Sequence, residues 1–202
     1  MALPVTFYKT MENQDLRVHG SIFFLLKKFV VAHFSEDMWD QLNGEAGTGG
    51  KSFEMTQNYP LDDIGAIVGA ASRHTGASVN ELKEKFGEYL VPDLFRLYAS
   101  YLRPEWTTRD VLIHTEKVMH GAVRKLNSTA NPPILNVSEV SETLLVIDYF
   151  SRRRMGSLAV GIIKGIARYF GEQDVVQVTP TTDPDDERVQ IRVTFQKVEL
   201  GS

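Results

Sequence analysis

Apolar residues recur at helical spacing through the first two-thirds of the chain and at strand spacing in the last third. Over residues 20–34, Ile22, Phe23, Leu26, Phe29, Val30 and Ala32 make a strongly apolar helix with Lys27 and Lys28 on its exposed side. Ser35-Glu36-Asp37 supplies a cap and an acidic first turn for a short helix containing Met38, Trp39 and Leu42, and glycines at 44, 47, 49 and 50 break the pattern. Asp62 is placed to cap a helix carrying Ile64, Ile67, Val68 and Ala71, which Thr75-Gly76 ends. Ser78, with Glu81 three positions on, has the capping-box spacing and opens the next helix. Pro92 is expected to force a restart, followed by an apolar helix through Leu94, Phe95, Leu97, Tyr98, Tyr101 and Leu102 that Pro104 closes. Thr107 or Thr108 caps a further helix over about residues 109–126.

Beyond Asn131-Pro132-Pro133 the period changes. Residues 142–150 are β-prone around Leu144-Leu145-Val146-Ile147, residues 155–170 read as a helix, and glycines 156, 161 and 165 allow it a close backbone approach to a neighbour. A second strand starts at Val175, Val176 and Val178. The turn Asp183-Pro184-Asp185-Asp186 leads into a third, where Val189, Ile191, Val193 and Phe195 alternate with polar residues. Helices followed by a small antiparallel sheet and a crossing helix make this an α+β fold. Residues 1–17 read as an arm before the main domain, which spans 18–198 with a tail over 199–202.

Composition narrows the chemistry. With 43% hydrophobic and 24% charged residues in 202, the chain can bury one sizeable core. A formal charge of −4 gives no general attraction to nucleic acid. The start lacks the apolar segment of a secretion signal, no stretch of 18 apolar residues exists for membrane insertion, and a cytoplasmic location is expected. Zero cysteines remove disulfides, thiolate nucleophiles, iron–sulfur clusters and thiolate-ligated haem. Lys51-Ser52 follows glycines, but position 45 is Glu where a phosphate loop needs its first glycine. Ser151 lacks the flanking glycines of a nucleophile elbow, so no enzymatic role is expected.

Two features remain. If the chain stays extended, Tyr149, Ser151 and Arg153 share a side and present two hydroxyls and a guanidinium in a row about 13 Å long. Such a row suits a diacid. It also suits a strand end that simply faces water. In the helix over 109–126, His120 falls outside the apolar stripe, near Ile113 and Glu116, and His114 is nearly as well placed to act as a ligand. The two are six residues apart and do not share a face, which disfavours a zinc pair. A partner with two carboxylates and a metal needing one imidazole would be haem.

The segment Tyr149-Phe150-Ser151-Arg152-Arg153 resembles the YxSxR motif of the haem nitric oxide/oxygen binding family (H-NOX), which includes the sensor domain of soluble guanylate cyclase. Val18-His19-Gly20-Ser21-Ile22, Trp39, Tyr59-Pro60, Thr75-Gly76, Phe86-Gly87 and the helix around Gly161-Ile162-Ile163-Lys164-Gly165 follow the same family's landmarks. The resemblance implies haem b between a helical subdomain and a C-terminal subdomain, with His120 rather than His114 as the iron ligand. It makes Pro133 the proline that presses on the porphyrin, and Tyr149, Ser151 and Arg153 the propionate holders. The tyrosine that serves dioxygen-binding relatives corresponds here to Leu158, and Ile22 and Leu26 offer no other donor. The implied function is nitric oxide sensing, with carbon monoxide as a further ligand. Signal transduction would run to a histidine kinase, cyclase or cyclic-dinucleotide enzyme. The alternative is a haem-free interaction module that kept the fold, with residues 1–17 or Phe23 and Phe24 filling the pocket.

Overall fold

The structure is a computed structural model that describes residues 16–126 and 131–196. Most of the expected N-terminal arm and the whole expected tail lie outside the described residues. The chain divides into two compact units, residues 1–82 and 83–202.

In the first unit, strand β1 (Arg17–His19) pairs antiparallel with β2 (Asn58–Pro60), Val18 opposite Tyr59. Helix α1 (Gly20–His33) follows β1 without a break. Gly20 is required there, because a Cβ would lie 1.9 Å from the Glu54 carbonyl oxygen. Helix α2 (Glu36–Glu45) is capped as expected, the Ser35 hydroxyl accepting the Met38 N–H at 3.0 Å. Phe23 stacks on Phe53 at 4.3 Å, and Tyr59 and Trp39 meet the Phe53 ring edge-on. Helix α3 (Leu61–Thr75) ends at Gly76 with φ +71°, as the sequence predicts, but Asp62 is not its cap. The helix starts two residues earlier, straight from β2 through Pro60, and Asp62 sits in the first turn, where its charge suits the helix dipole.

Helix α4 (Val79–Leu97) opens on the expected capping box, with Glu81 Oε2 accepting the Ser78 N–H at 2.7 Å and the Ser78 hydroxyl accepting the Glu81 N–H at 3.2 Å. Pro92 does not interrupt it. Proline in a helix interior forfeits one hydrogen bond to the residue four back, here Glu88, and costs about 3 kcal/mol. Buried neighbours Leu90, Val91 and Phe95 hold both sides of that position in the core.

The second unit is a helix-covered sheet. A 3₁₀ turn (Ala99–Tyr101) leads to α5 (Thr108–His114), opened by a Thr107–Asp110 capping box. The chain continues through a π-helical stretch, Thr115–His120, into α6 (Gly121–Leu126). Strands β3 (Ile134–Ser141), β4 (Leu144–Phe150), β5 (Val176–Pro180) and β6 (Arg188–Phe195) form one antiparallel sheet in the order β3-β4-β6-β5. Helix α7 (Gly156–Tyr169) covers it, with Val160, Ile163, Ile166 and Ala167 buried in one core with Leu145, Ile147, Val189, Ile191 and Val193. Among the described residues no helix is long and apolar enough to cross a membrane.

The close approach expected of the α7 glycines is made to α4 by Gly161 and Gly165, whereas Gly156 meets the Pro184 carbonyl, with a Cβ position 2.6 Å away. A Cβ on Gly161 would lie 2.0 Å from the Glu84 carbonyl oxygen, and one on Gly87 would lie 2.4 Å from that of Leu158. Gly165 meets the Glu88 carbonyl, the one Pro92 leaves without its helical donor, with a Cβ position 2.8 Å away. Backbone cannot yield as a flexible side chain does, so Gly161→Ala should lower stability by about 3 kcal/mol. Gly65→Ala on α3, where nothing lies within 4 Å, should raise it by about 1 kcal/mol. Urea denaturation checks both, and equal midpoints for Gly161→Ala and the unsubstituted protein would contradict the packing described.

Candidate functional site

The helix that carries His120 changes its winding just before it. The Thr115 hydroxyl donates to the Val111 carbonyl at 2.6 Å, and from there the backbone widens so that Gly121 N–H reaches the Glu116 carbonyl five residues back. On this wider turn Glu116 and His120 meet. The Glu116 Oε2 accepts His120 Nδ1–H at 3.0 Å and the Leu135 N–H at 3.0 Å, and Oε1 accepts Arg124 Nη2 at 2.7 Å. The helix and the start of β3 are thereby joined through one carboxylate.

Burial works against the charge on Glu116, but His120, the Leu135 N–H and Arg124 together hold the carboxyl below its ordinary range. His120 is moved the other way. Burial pushes its imidazole below the usual value, against the pull of Glu116 and of the Pro133 backbone. Near neutral pH the pair is therefore an ionised carboxylate and a neutral imidazole with its proton on Nδ1, since the carboxylate can only accept. Nε2 is left as the nitrogen able to ligate a metal. A ligating histidine ordinarily donates its other N–H to a carboxylate or carbonyl in this way.

Tyr149, Ser151 and Arg153 do come together, though not as an extended row. Strand β4 stops at Phe150, the Ser151 hydroxyl accepts the Arg153 N–H at 3.2 Å, and the Arg154 N–H donates to the Ser151 carbonyl at 3.1 Å. This is a turn nucleated by the serine, and Arg154 adopts φ +52° in it. The Tyr149 phenol is buried and held above its ordinary value by desolvation, with Ser151, Arg153 and the Met155 backbone opposing. Arg153 Nη2 donates to the Asn131 carbonyl, two residues before Pro133. Leu135 lies opposite Tyr149 in the β3–β4 register. Arg152 is exposed, and Arg154 pairs with Glu187 at 3.4 Å.

Five of the candidate residues, His120, Pro133, Tyr149, Ser151 and Arg153, thus meet around the segment 131–135. Leu158 is buried in the first turn of α7. Ile22 and Leu26 lie on α1 in the first unit, where Leu26 is buried and Ile22 partly so. Phe23 is engaged with Phe53 and Tyr59, and Phe24 is 48% exposed. His114 stacks on Trp106 at 4.9 Å, away from the Glu116 carboxylate that His120 binds. Among the described residues no group of three or more His, Asp and Glu side chains could hold a bare metal ion. Sequence reasoning passed over two participants. Glu116 was legible as an acid one turn before His120, whereas the Asn131 carbonyl carries no side-chain signal.

This donor set fits haem. One imidazole with a committed Nδ1 suits a single axial bond, and a phenol, a hydroxyl and a guanidinium suit two carboxylates. The model of the haem-NO-binding family matches residues 19–178. Curated proteins give no match. Among solved structures, an S. oneidensis H-NOX protein in the Fe(II) state, a triple mutant, is 19% identical with a TM-score of 0.81 over 91% of this chain and 98% of that one. The unliganded Fe(II) H-NOX protein from K. algicida is 18% identical with a TM-score of 0.78 over 92% of this chain and 100% of that one. A mutant of the T. tengcongensis H-NOX gives 18% and 0.75 over 91% and 100%. The family model covers most of the chain and the architecture agrees throughout: the protein belongs to the haem-NO-binding (H-NOX) family, whose domains are sensor and regulatory modules rather than enzymes.

Proposed function

We propose that this chain is a haem-based nitric oxide sensor that holds one haem b through His120 and reports to a partner protein. The observation that supports this is the convergence on the segment 131–135, where Glu116 joins His120 to the Leu135 N–H and Arg153 joins Ser151 to the Asn131 carbonyl, with Tyr149 opposite Leu135. Haem, when bound, supplies a ferrous iron with a coordination position open to a diatomic gas. His120 provides Nε2 to that iron. Pro133, two residues before the Glu116 anchor at Leu135, would stand against the macrocycle, and Arg153 with the two hydroxyls would hold the propionates. Ile22, Leu26 and Leu158 carry only hydrocarbon and no hydrogen-bond donor. A change in the hold on His120 loads its helix and the start of β3 together, and the effector reads the resulting surface difference. A histidine kinase, a cyclase or a cyclic-dinucleotide enzyme is the class of effector we propose.

The ligand assignment is tested by reconstituting His120→Gly with haemin and recording the reduced spectrum. The axial ligation should be lost, and His114→Ala should leave it intact. An unchanged Soret band in His120→Gly would overturn the assignment.

The arginines should separate. A charge-assisted hydrogen bond is worth about 1.5 to 3 kcal/mol, so Arg153→Ala should weaken haem binding about 10- to 150-fold. Arg152→Ala and Arg154→Ala, which remove side chains that face solvent or Glu187, should change it little. Transfer of haem to an apo-globin acceptor measures this, and equal losses from all three would contradict the role given to Arg153.

Gas selectivity follows from Leu158. Bound dioxygen carries partial negative charge and gains from a hydrogen-bond donor, which leucine cannot supply. The ferrous protein should bind nitric oxide and carbon monoxide and form no lasting oxy complex in air; a persistent oxy spectrum would refute the donor-free reading.

A further inference from the structure

Glu116 is held by three donors, and ligation by His120 gives it no direct task. Its two oxygens receive a ring N–H, a backbone N–H and a guanidinium, and its side chain is 28% exposed beside a His120 side chain that is 16% exposed. Resting on His120 as the iron ligand, we propose that Glu116 is a positioning residue for that ligand, fixing the imidazole plane and strengthening the electron donation of Nε2 through the bond to Nδ1–H. The Leu135 N–H and Arg124 prevent the carboxylate from swinging away. Arg124 also draws part of its negative charge, so it moderates the same effect.

The physical basis is general. A carboxylate that accepts the distal N–H of a ligating imidazole increases the basicity of the nitrogen on the metal. The bond from His120 to iron should be stiffer than one from a histidine whose Nδ1–H meets only a neutral acceptor. Release of His120 when gas binds should be correspondingly harder, and the ferric state should be favoured over the ferrous.

The test uses the haem-loaded full chain. Glu116→Gln keeps size and an acceptor oxygen but removes the charge, and should lower the iron–histidine stretching frequency in the resonance Raman spectrum of the ferrous protein. Arg124→Gln leaves Glu116 less neutralised and should raise it. The reduction potential should rise in Glu116→Gln and fall in Arg124→Gln. Potentials that move while the stretching frequency stays fixed in both variants would overturn the proposal, because a distant charge does that without touching the ligand. If Glu116→Gln takes up no haem, Arg124→Gln decides alone: a raised frequency supports the role and an unmoved one refutes it. A ferrous unsubstituted protein with no iron–histidine band would instead remove the reading of His120 on which this rests.

Discussion

A half-buried carboxylate needs donors to stay ionised, and the way Glu116 finds them organises the second unit of this protein. Its three donors come from a helix side chain one turn on, a helix side chain two turns on, and the backbone of a strand 19 residues away. That bond to Leu135 N–H fixes where the chain re-enters the sheet after Pro133. The β3–β4 register then brings Leu135 opposite Tyr149, and the turn after β4 returns Arg153 to the Asn131 carbonyl. The π-helical stretch belongs to the same constraint. A regular α-helix would keep Gly121 N–H on Lys117, whereas the wider turn gives it to Glu116 and sets the Glu116 and His120 side chains together.

Much of this was legible in the sequence because local rules coincided with the tertiary outcome. Ser35 and the Ser78–Glu81 pair cap helices where their spacing says they should, and of the two threonines offered for the later helix Thr107 is the cap. The alternation of Val189, Ile191, Val193 and Phe195 gives a strand whose apolar face is buried at its first three positions and partly buried at the last. Failures occurred where packing outweighed a local preference. Pro92 reads as a stop, yet the buried residues around it keep α4 helical, and the Glu88 carbonyl it frees lies against Gly165. Strand β3 carried too little signal. It is an edge strand, its residues 138–141 are exposed, and Ile134 and Val140 are large apolar groups on its surface.

The candidate site shows the same division. The identities of Tyr149, Ser151 and Arg153 could be read, but their arrangement could not, because an extended row and a serine-nucleated turn use the same residues. The turn is the more useful arrangement for recognition. It buries the phenol and the hydroxyl, and it singles out the middle arginine of three by tying it to Asn131 while Arg152 remains exposed. His120 and His114 were close rivals by helical projection, and the difference between them lies in partners that projection cannot supply: Trp106 for one, Glu116 and the Pro133 backbone for the other.

On the function proposed, this network serves to hold one haem by one imidazole. The most direct measurement is the haem-to-protein ratio of the full chain purified after expression with an ample haem supply, read together with the ferrous absorption spectrum. The expected result is a ratio near one and a spectrum of five-coordinate, histidine-ligated iron. A protein that stays folded and still takes up no haem, even when haemin is added, would contradict it and leave a haem-free interaction module as the function of the fold.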